Sequence, residues 1–327
     1  MSVPCVRAER EAGEQTRSSL AELDIVDDAH EIVVEDGWLY VPVTDAGAVP
    51  AEYDVVHRDM PERETQTMPA DLLDFDPSYE RLGDIAIVDE DDPERASALA
   101  EALMESAIPV ASVLNRASKI RGTERVRDWE ILAGEATEAV HREYGCSFAL
   151  DLADVYFSPR LATERHRVIE QVRESEHVFD MFAGVGPFAI PAAKRGATVV
   201  GVDINDRAIE YLRENAARND VTDRVTAIRG DVRDVSAEYE GWADRILMYL
   251  PHSADEILHR AAVLAGEEHT LHYYDIQSDE DPYGPGEKAI RATAEPQYDV
   301  TVETRHTVRS YAPHELNVVL DVRLTRT

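Results

Sequence analysis

Short apolar runs alternate with helix-like segments along the second half of the chain, which is the pattern of a parallel α/β sheet. The clearest case is VFDMFAGVGPF at 178–188, where an apolar strand runs into a glycine turn and then into an apolar helix at 188–193. Further apolar runs at 197–202 and 225–228 predict the next two strands. The pattern therefore predicts a Rossmann-like, doubly wound α/β domain that begins after Ser158.

The first half of the chain has shorter and less regular elements, which predict two smaller α+β domains. A helix is expected near 13–23, followed by strands at 31–34 and 38–43 that Asp36-Gly37 joins as a hairpin. The polar segment 58–74 contains two prolines and no periodicity, so it is predicted to be a linker.

The second small domain starts near Tyr79. Its predicted elements are a strand at 85–88, a helix at 93–106, and strands around 110–114, 137–143 and 148–151. The chain ends with an alternating pattern at 301–327, which predicts a hairpin around the loop 310–314. We expect domains at 1–65, 75–157 and 158–327.

Acidic residues follow three successive predicted strands, at Asp180, Asp203 and Asp231. Gly184 and Gly186 allow a tight turn after the first of these strands. Because the carboxyl ends of parallel strands share one edge of the sheet, a nucleotide-like cofactor is expected there. Phe188 stands where a dinucleotide fold places its third glycine, so S-adenosyl-L-methionine fits better than a dinucleotide.

The charge balance is strongly acidic, with 33 Lys+Arg against 66 Asp+Glu and a net charge of −33. Nearly all the cationic residues are arginine, and 44% of the residues are hydrophobic, which is typical of a folded protein with a halophilic surface. At molar salt the Debye length is about 3 Å, so this charge does not exclude an RNA partner. Three local basic clusters are candidate RNA contacts: 116–127, 160–167 and 305–309.

Cysteine content and hydropathy exclude several other classes of protein. Cys5 and Cys146 are too few for a disulfide framework and too far apart in sequence for a zinc motif, so no metal site is expected. No apolar run approaches the length of a membrane span, and the first residues lack a hydrophobic signal core. We expect a cytoplasmic protein without membrane or protein partners, with a monomer as the default.

Several segments resemble one known family, the archaeal and eukaryotic tRNA (guanosine-37, N1) methyltransferases. They are PCVRAEREAGEQTRSSL near the N-terminus, GTERVRDWEILAGE at 122–135, VYFSPRLATER at 155–165, DMFAGVGPF at 180–188, HYYDI at 272–276 and RSYAPHELN at 309–317. The resemblance covers nearly the whole chain. It implies a small N-terminal domain that touches the outer corner of tRNA, a middle domain, and a methyltransferase domain that modifies guanosine 37.

The resemblance also implies roles for particular residues. Guanine N1 carries a proton that must leave before methylation, and Glu164 matches the general base, with Arg125 matching the cation that stabilises charge on O6. The positions that match donor contacts are Arg165, Asp180, Gly184, Gly186, Asp203, Ile204, Asp231, Val232 and Tyr249. The expected substrate contacts are Tyr156, Arg121, Arg127, Arg160 and Pro251.

Alternatives remain open at this point. Without the resemblance, Glu164 reads as a helical ion-pair partner of Arg167, three residues later. Tyr249 stands where the family usually has asparagine, which offers both a donor and an acceptor. This departure leaves two other functions open: a related aminocarboxypropyl transferase of wybutosine synthesis, which uses the same donor, and a tRNA-binding paralogue that has lost turnover.

Overall fold

The computed structural model describes residues 2–63, 66–118, 122, 126–250, 254–295 and 297–327, with side chains in 254–256 left undescribed. Packing divides the chain into two compact units, Met1–Thr67 and Met68–Thr327.

The first unit is a small antiparallel sheet that packs against one helix. Its elements are β1 Ser2–Glu9, α1 Gly13–Glu22, β2 Val33–Glu35, β3 Trp38–Pro42 and β4 Asp54–Asp59. The strand order is β2-β3-β1-β4, and Asp36 and Gly37 adopt positive φ angles of 49° and 84° in the tight turn between β2 and β3. The predicted Asp-Gly hairpin is therefore confirmed.

The second unit begins with a smaller α/β layer. Its elements are α2 Pro69–Leu72, β5 Glu80–Leu82, β6 Ile85–Val88, α3 Pro93–Glu105, β7 Ser112–Arg116, β8 Trp129–Ala133, β9 Glu138–Glu143 and β10 Cys146–Asp151. Helix α3 starts where the Asp92 carboxylate accepts hydrogen bonds from the backbone N–H of Glu94 and Arg95. Its apolar face, which includes Leu99 and Leu103, packs on a sheet of order β5-β6-β7-β8.

Strands β9 and β10 form a separate hairpin, and two asparagines on a later helix hold its second strand. The Asn215 amide exchanges hydrogen bonds with the backbone N–H and C=O of Ala149 at 2.7 and 3.0 Å. Asn219 does the same with Ser147. These side chains take the place of a neighbouring strand, so the hairpin is fixed to the helices of the large sheet.

The remaining elements build the large sheet and the helices that cover it. They are α4 Ala162–Ile169, β11 His177–Asp180, α5 Ala189–Lys194, β12 Thr198–Asp203, α6 Asp206–Arg218, β13 Val225–Arg229, α7 Val232–Val235, β14 Ala243–Met248, α8 Ala254–Leu264, β15 Ala265–Ser278, α9 Gly284–Ala294, β16 Tyr298–Ala312 and β17 Glu315–Arg326.

The strand order of the large sheet is β13-β12-β11-β14-β15-β17-β16. The strands from β13 to β15 are parallel, whereas β17 and β16 pair antiparallel at one side. Central strands such as β12 are buried on both faces, which explains their continuous apolar sequence. The predicted doubly wound fold and its closing hairpin are confirmed.

Several short strands differ from the sequence-based expectation. Strand β4 runs into the predicted linker as far as Asp59, and α2 lies near the other end of that segment. The sequence of β4 is polar, but its backbone pairs with β1 along six residue pairs. Strands β5 and β8 lie at the two edges of their sheet and lack a buried apolar run, so the sequence pattern does not predict them. Among the described residues, no helix has the length and apolar character of a membrane span.

Candidate active site

The turn after β11 and the end of β12 form one site, called here the glycine edge, which consists of Asp180, Gly184, Gly186, Asp203 and Ile204. The Asp203 carboxylate accepts hydrogen bonds from the backbone N–H of Gly184 and of Asn205, at 2.8 and 2.9 Å. These two backbone donors fix the carboxylate at the end of the strand, with one donor on each oxygen.

The two glycines serve different purposes at this edge. Gly184 has φ +52°, and a Cβ added there would meet no atom within 4 Å, so the backbone borders open space. Gly186 has φ +94°, and its added Cβ would lie 2.5 Å from Leu212 Cδ1. Gly186 therefore lets the turn pack on α6, while Gly184 lets a ligand approach the backbone.

Asp180 is buried at the end of β11, and its two carboxylate oxygens differ. Oδ1 accepts a hydrogen bond from the backbone N–H of Phe182 at 3.4 Å, whereas Oδ2 is buried with no hydrogen-bond partner in the described part of the chain. Burial, with a smaller contribution from the nearby charge of Asp203, raises the pKa of Asp180 to about 7. A buried carboxylate with an unused oxygen suits a ligand that brings positive charge or N–H donors.

Asp231 and Val232 lie at the next strand end and start α7. The Asp231 side chain caps this helix through the backbone N–H of Arg233 at 2.9 Å. It also pairs with the Arg233 guanidinium, which lowers the pKa of Asp231. Val232 is buried, and Ile204, after β12, leaves 42% of its surface exposed. The predicted donor contacts from three strand ends thus share one edge of the sheet.

Glu164 lies on α4 and is buried, with only 5% of its surface exposed. Arg167 binds both of its carboxylate oxygens, through Nε and an Nη atom, each at 2.8 Å. The Tyr274 hydroxyl donates to Oε1 at 2.6 Å, and His306 Nε2 lies 3.6 Å from Oε2. The ion pair with Arg167 that the sequence allowed is therefore present, and it occurs within a larger cluster.

This cluster continues through α4 to the closing hairpin and is called here the Glu164 network: Glu164, Arg167, Tyr274, Asp321, His272 and Arg245. Arg167 also binds the Asp321 carboxylate, with one contact at 2.5 Å. His272 Nδ1 lies 2.6 Å from the same carboxylate, and His272 Nε2 lies 2.6 Å from the Arg245 guanidinium.

The charge states in the Glu164 network follow from burial and pairing. Burial opposes ionisation of Asp321, but hydrogen bonds from His272 and Arg167 hold its pKa well below the usual range. Burial lowers the pKa of His272, and burial together with the charge of Glu164 raises the pKa of the Tyr274 phenol well above its usual value. Tyr274 therefore stays protonated and donates its hydrogen bond to Glu164.

Tyr249 follows β14 and packs against Tyr274 of the Glu164 network. Its ring packs against Tyr274 with centroids 4.5 Å apart at 63°, and Phe188 lies 6.1 Å away. The Tyr249 hydroxyl accepts a hydrogen bond from the Asn317 amide at 3.2 Å. Tyr249 therefore packs against Phe188, which follows the glycine turn, and against Tyr274, which binds the predicted base.

Arg165 and Arg160, two arginines of the predicted basic clusters, are bound to carboxylates within the chain. Arg165 is 3% exposed, and its Nε donates to Glu143 at 2.7 Å. Arg160 pairs with Glu80 at 2.7 Å. Arg116, in another basic cluster, also pairs with Glu80 and lies 2.9 Å from Asp89. These ion pairs hold the segments around α4 and β7 together and leave less free positive charge than the sequence suggests.

Arg127 and Tyr156 lie near each other in the second unit. Burial, together with the charge of Arg116, lowers the pKa of Arg127, and its guanidinium stands 5.4 Å from the centre of the Trp129 ring. Tyr156 is partly buried. The predictions for Arg121, Arg125 and Pro251 fall outside the described residues.

No cluster of three or more metal-ligating side chains occurs among the described residues. Cys5 and Cys146 are buried free thiols. The sequence pattern alone gives no role to Tyr274, Asp321, His272 or Asn317. The alternating positions of β15 provide a partial signal, since they put His272 and Tyr274 on one face, but only the fold shows that this face meets α4.

Models of known families match three successive parts of the chain. Residues 139–302 match the TRM5/TYW2 methyltransferase domain, 63–137 the TYW2 N-terminal domain, and 5–48 the tRNA methyltransferase 5 N-terminal domain. The tRNA (guanine(37)-N(1))-methyltransferase Trm5b of Pyrococcus abyssi is 39% identical over 98% of this chain and 98% of its own length.

Two further relatives bear on the alternatives. The tRNA(Phe) (4-demethylwyosine(37)-C(7)) aminocarboxypropyltransferase of Pyrococcus horikoshii is 32% identical over 86% of this chain and 99% of its own length. The solved complex of aTrm5 and tRNALeu superposes with a TM-score of 0.77 at 30% identity, over 98% of this chain and 99% of that one.

The glycine edge also fits the cofactor that this group of proteins uses. S-adenosylmethionine carries an ammonium group, a sulfonium and ribose hydroxyls, and the edge offers the unused Asp180 oxygen, the open backbone at Gly184 and the Asp203 carboxylate. On sequence, fold and site chemistry together, the chain belongs to the TRM5/TYW2 family of S-adenosylmethionine-dependent methyltransferases.

Proposed function

We propose that this chain is a tRNA (guanine(37)-N1)-methyltransferase, which transfers the methyl group of S-adenosylmethionine to N1 of guanosine 37. The observation that carries the proposal is the match to Trm5b of Pyrococcus abyssi at 39% identity over 98% of both chains. The buried carboxylate of Glu164, beside an edge suited to the methyl donor, agrees with this reaction.

The donor is proposed to bind at the glycine edge. Asp203 accepts the ribose hydroxyls, Ile204 and Val232 border the adenine, Asp180 faces the cationic end, and the backbone approaches at Gly184 while Gly186 shapes the turn. The further proposed contacts are Arg165, Asp231 and Tyr249. S-adenosylmethionine supplies the electrophilic methyl group when it is bound.

Glu164 is proposed to remove the proton from guanine N1, because a neutral N1–H cannot attack the methyl carbon. Arg167 and Tyr274 fix the orientation of its carboxylate, and Oε2, which accepts only one of these hydrogen bonds, has a second lone pair that can accept the proton. Arg125 keeps its proposed role at guanine O6, where a guanidinium stabilises the charge that develops on the base. Flipping the target base out of its stack brings it to this site.

The tRNA substrate extends the proposal beyond the site. The proposed contacts are Tyr156, Arg121, Arg127, Arg160 and Pro251, and the proposed domains are 1–65, 75–157 and 158–327, with the first reading the outer corner of tRNA. We further propose a monomer that acts in the cytoplasm of a halophilic archaeon without a protein partner, in line with the net charge of −33.

The aminocarboxypropyl transferase is the second candidate, because its relative matches 86% of this chain. The methyltransferase relative is closer in identity, and residues 5–48 match the N-terminal domain of tRNA methyltransferase 5. A non-catalytic paralogue is disfavoured by the ordered environment of Glu164, although Tyr249 remains an unusual neighbour.

The test uses purified protein at high salt with an unmodified tRNA that carries guanosine 37. The donor is labelled in the methyl group in one reaction and in its four-carbon arm in another, and nucleosides are analysed by mass. Methyl label in 1-methylguanosine supports the proposal. Arm label on the base would assign the transferase reaction, and the absence of any product despite donor binding would support the paralogue.

A further inference from the structure

Strands β15 and β17 present one face to α4, and their residue pairs can be followed towards the carboxyl edge of the sheet. Directly paired residues of antiparallel strands place their side chains on the same face. Along β15 and β17 the successive pairs on this face are His272 with Asp321, Tyr274 with Val319, and Ile276 with Asn317.

The first two of these pairs hold the Glu164 network. Arg167 binds Asp321 of the first pair, and Glu164 accepts a hydrogen bond from Tyr274 of the second pair. Asn317 belongs to the next pair, about 7 Å further along the strand at roughly 3.4 Å per residue. Asn317 therefore borders the space on the edge side of Glu164.

In the side-chain amide of Asn317, the nitrogen has a hydrogen-bond partner among the described residues and the oxygen has none. It is 1% exposed, and its Nδ2 donates to the Tyr249 hydroxyl at 3.2 Å. Its Oδ1 is buried and has no hydrogen-bond partner within the described ranges of the chain. Buried amide oxygens without a partner are rare in native proteins, so this one calls for a specific explanation.

The residue that pairs with Asn317 across the strands also has a polar atom without a partner among the described residues. Arg309 on β16 is the direct cross-strand partner of Asn317, so both side chains leave the sheet on the same face. The Nε of Arg309 is buried and also has no hydrogen-bond partner among the described residues. An acceptor and a donor without partners among the described residues thus belong to two directly paired residues, and one of these residues, Asn317, also binds Tyr249.

We infer that Asn317 contacts the bound ligand, and that its amide oxygen accepts a hydrogen bond from an N–H group of that ligand. Tyr249 fixes the amide by accepting from Nδ2, which leaves the oxygen free for the ligand. The inference rests on the proposed function for its two ligand sources: the exocyclic amino group of the target guanine, or the ammonium group of the methyl donor.

Tyr249 acquires a definite role in this arrangement. An asparagine at the end of β14 would offer its own amide, whereas Tyr249 offers a hydroxyl that binds the Asn317 amide from the neighbouring hairpin. In this arrangement, the side-chain amide that faces the ligand comes from Asn317 on β17. Segment 309–317, one of the segments that resemble the methyltransferase family, contains both Arg309 and Asn317.

The experiment compares the native protein with Asn317→Ala on two transcripts that differ only at position 37, one with guanosine and one with inosine. Inosine lacks the 2-amino group. Single-turnover rates of N1 methylation are measured for each pair, and the dissociation constant of S-adenosylmethionine is measured by calorimetry without tRNA.

If the oxygen accepts from the guanine amino group, Asn317→Ala slows methylation of the guanosine transcript about tenfold and leaves the inosine transcript nearly unchanged, since one hydrogen bond is lost. If it accepts from the donor ammonium, the dissociation constant rises about tenfold and the two transcripts slow by the same factor when donor is subsaturating. The inference would be overturned if Asn317→Ala left the dissociation constant of S-adenosylmethionine unchanged and changed the methylation rate of both transcripts by the same factor, or not at all.

Two further variants keep the test independent of folding. Tyr249→Phe removes the hydroxyl that orients the amide, and it should shift the same measurement in the same direction by a smaller factor. Asn115→Ala is the matched control, because Asn115 is also buried but its amide is fully bonded to Glu90 and Glu130. An equal effect of Asn115→Ala would contradict a ligand contact.

Failure of the proposed function can be distinguished from failure of this inference, because the native protein would then form no 1-methylguanosine.

Discussion

The glycine edge and the Glu164 network lie on the same sheet but are built in different ways. The glycine edge is formed by backbone groups and short-range contacts within residues 180–205, and it leaves the Asp180 Oδ2 unpaired. The Glu164 network joins side chains from residue 164 to residue 321, and its carboxylates are bound by cations and hydroxyls. One region is open towards a ligand, and the other is already held in place.

This difference has a mechanistic reason. A donor site must admit and release a nucleoside in each cycle, and backbone donors with open space allow this without rearrangement. A general base removes one proton at one position, so a fixed orientation of its carboxylate favours the reaction even though burial of its charge is unfavourable. The network also explains how a carboxylate with 5% exposure is tolerated, because Arg167 and Tyr274 compensate its desolvation.

Arg167→Met should have the largest effect and would break the Glu164 network. It leaves two buried carboxylates, Glu164 and Asp321, without their shared cation, so the free energy of unfolding should fall by about 3–5 kcal/mol. Denaturant unfolding at constant salt measures this loss. Arg167→Lys, which keeps a charge but not the forked geometry, should lose less, and an unchanged midpoint for Arg167→Met would show that the pairing contributes nothing.

Acid should destabilise the sheet that carries the network, through His269 on β15. Burial lowers the pKa of His269 to about 4, whereas an unfolded histidine titrates near 6.5. Between these values the unfolded chain binds a proton that the folded chain does not, so stability is complete above pH 6.5 and falls by about 3 kcal/mol as the pH drops to 4.

The check compares the free energy of unfolding of the native protein and His269→Leu at pH 7.5 and pH 5. The variant should lose less stability between the two pH values. Both proteins keep His272, so its contribution cancels in the difference. Parallel pH dependence of the two proteins would refute the role of His269.

Tyr274→Phe sharpens the comparison, because it removes one hydrogen bond to Glu164 and leaves the glycine edge intact. Loss of orientation should reduce kcat about tenfold, the equivalent of one hydrogen bond to a charged group. The KM for the donor should not change. A rise in donor KM with constant kcat would mean that Tyr274 serves the donor site instead.

The unpaired Asp180 oxygen predicts that donor binding is linked to a proton. With a pKa of about 7, the free carboxyl is partly protonated at neutral pH, and a cationic ligand favours its ionised form. Donor affinity should therefore fall as the pH drops below 7, by at most about tenfold per pH unit. Calorimetry in two buffers with different ionisation enthalpies measures the released proton, and Asp180→Asn should abolish it.

The two regions also differ in how far the sequence predicts them. The glycine edge could be predicted almost completely, since apolar strands, two glycines and the acids at strand ends are local signals. The large sheet and its closing hairpin could be predicted for the same reason. Strands β5 and β8 could not, because they are the edge strands of their sheet and lack a buried apolar run.

The Glu164 network was beyond prediction from local pattern. The sequence shows that Glu164 can reach Arg167 one helical turn away, but Asp321 lies 154 residues from Arg167, and only the topology brings β17 to α4. The same holds for Asn317 and Tyr249, which are 68 residues apart. The ion pairs of Arg160 and Arg165 were also beyond local pattern, because the carboxylates that bind these arginines lie on separate strands, far from them in sequence.

The central claim is that Glu164 acts on the base and takes no part in binding the donor. Glu164→Gln, with nearly the same shape, tests it when the single-turnover rate of 1-methylguanosine formation and the affinity for S-adenosylmethionine are measured on the same preparation. The rate should fall by about 10²–10⁴-fold while the affinity stays unchanged. A rate within a few fold of the native value, or an equal loss of donor affinity, would contradict the account.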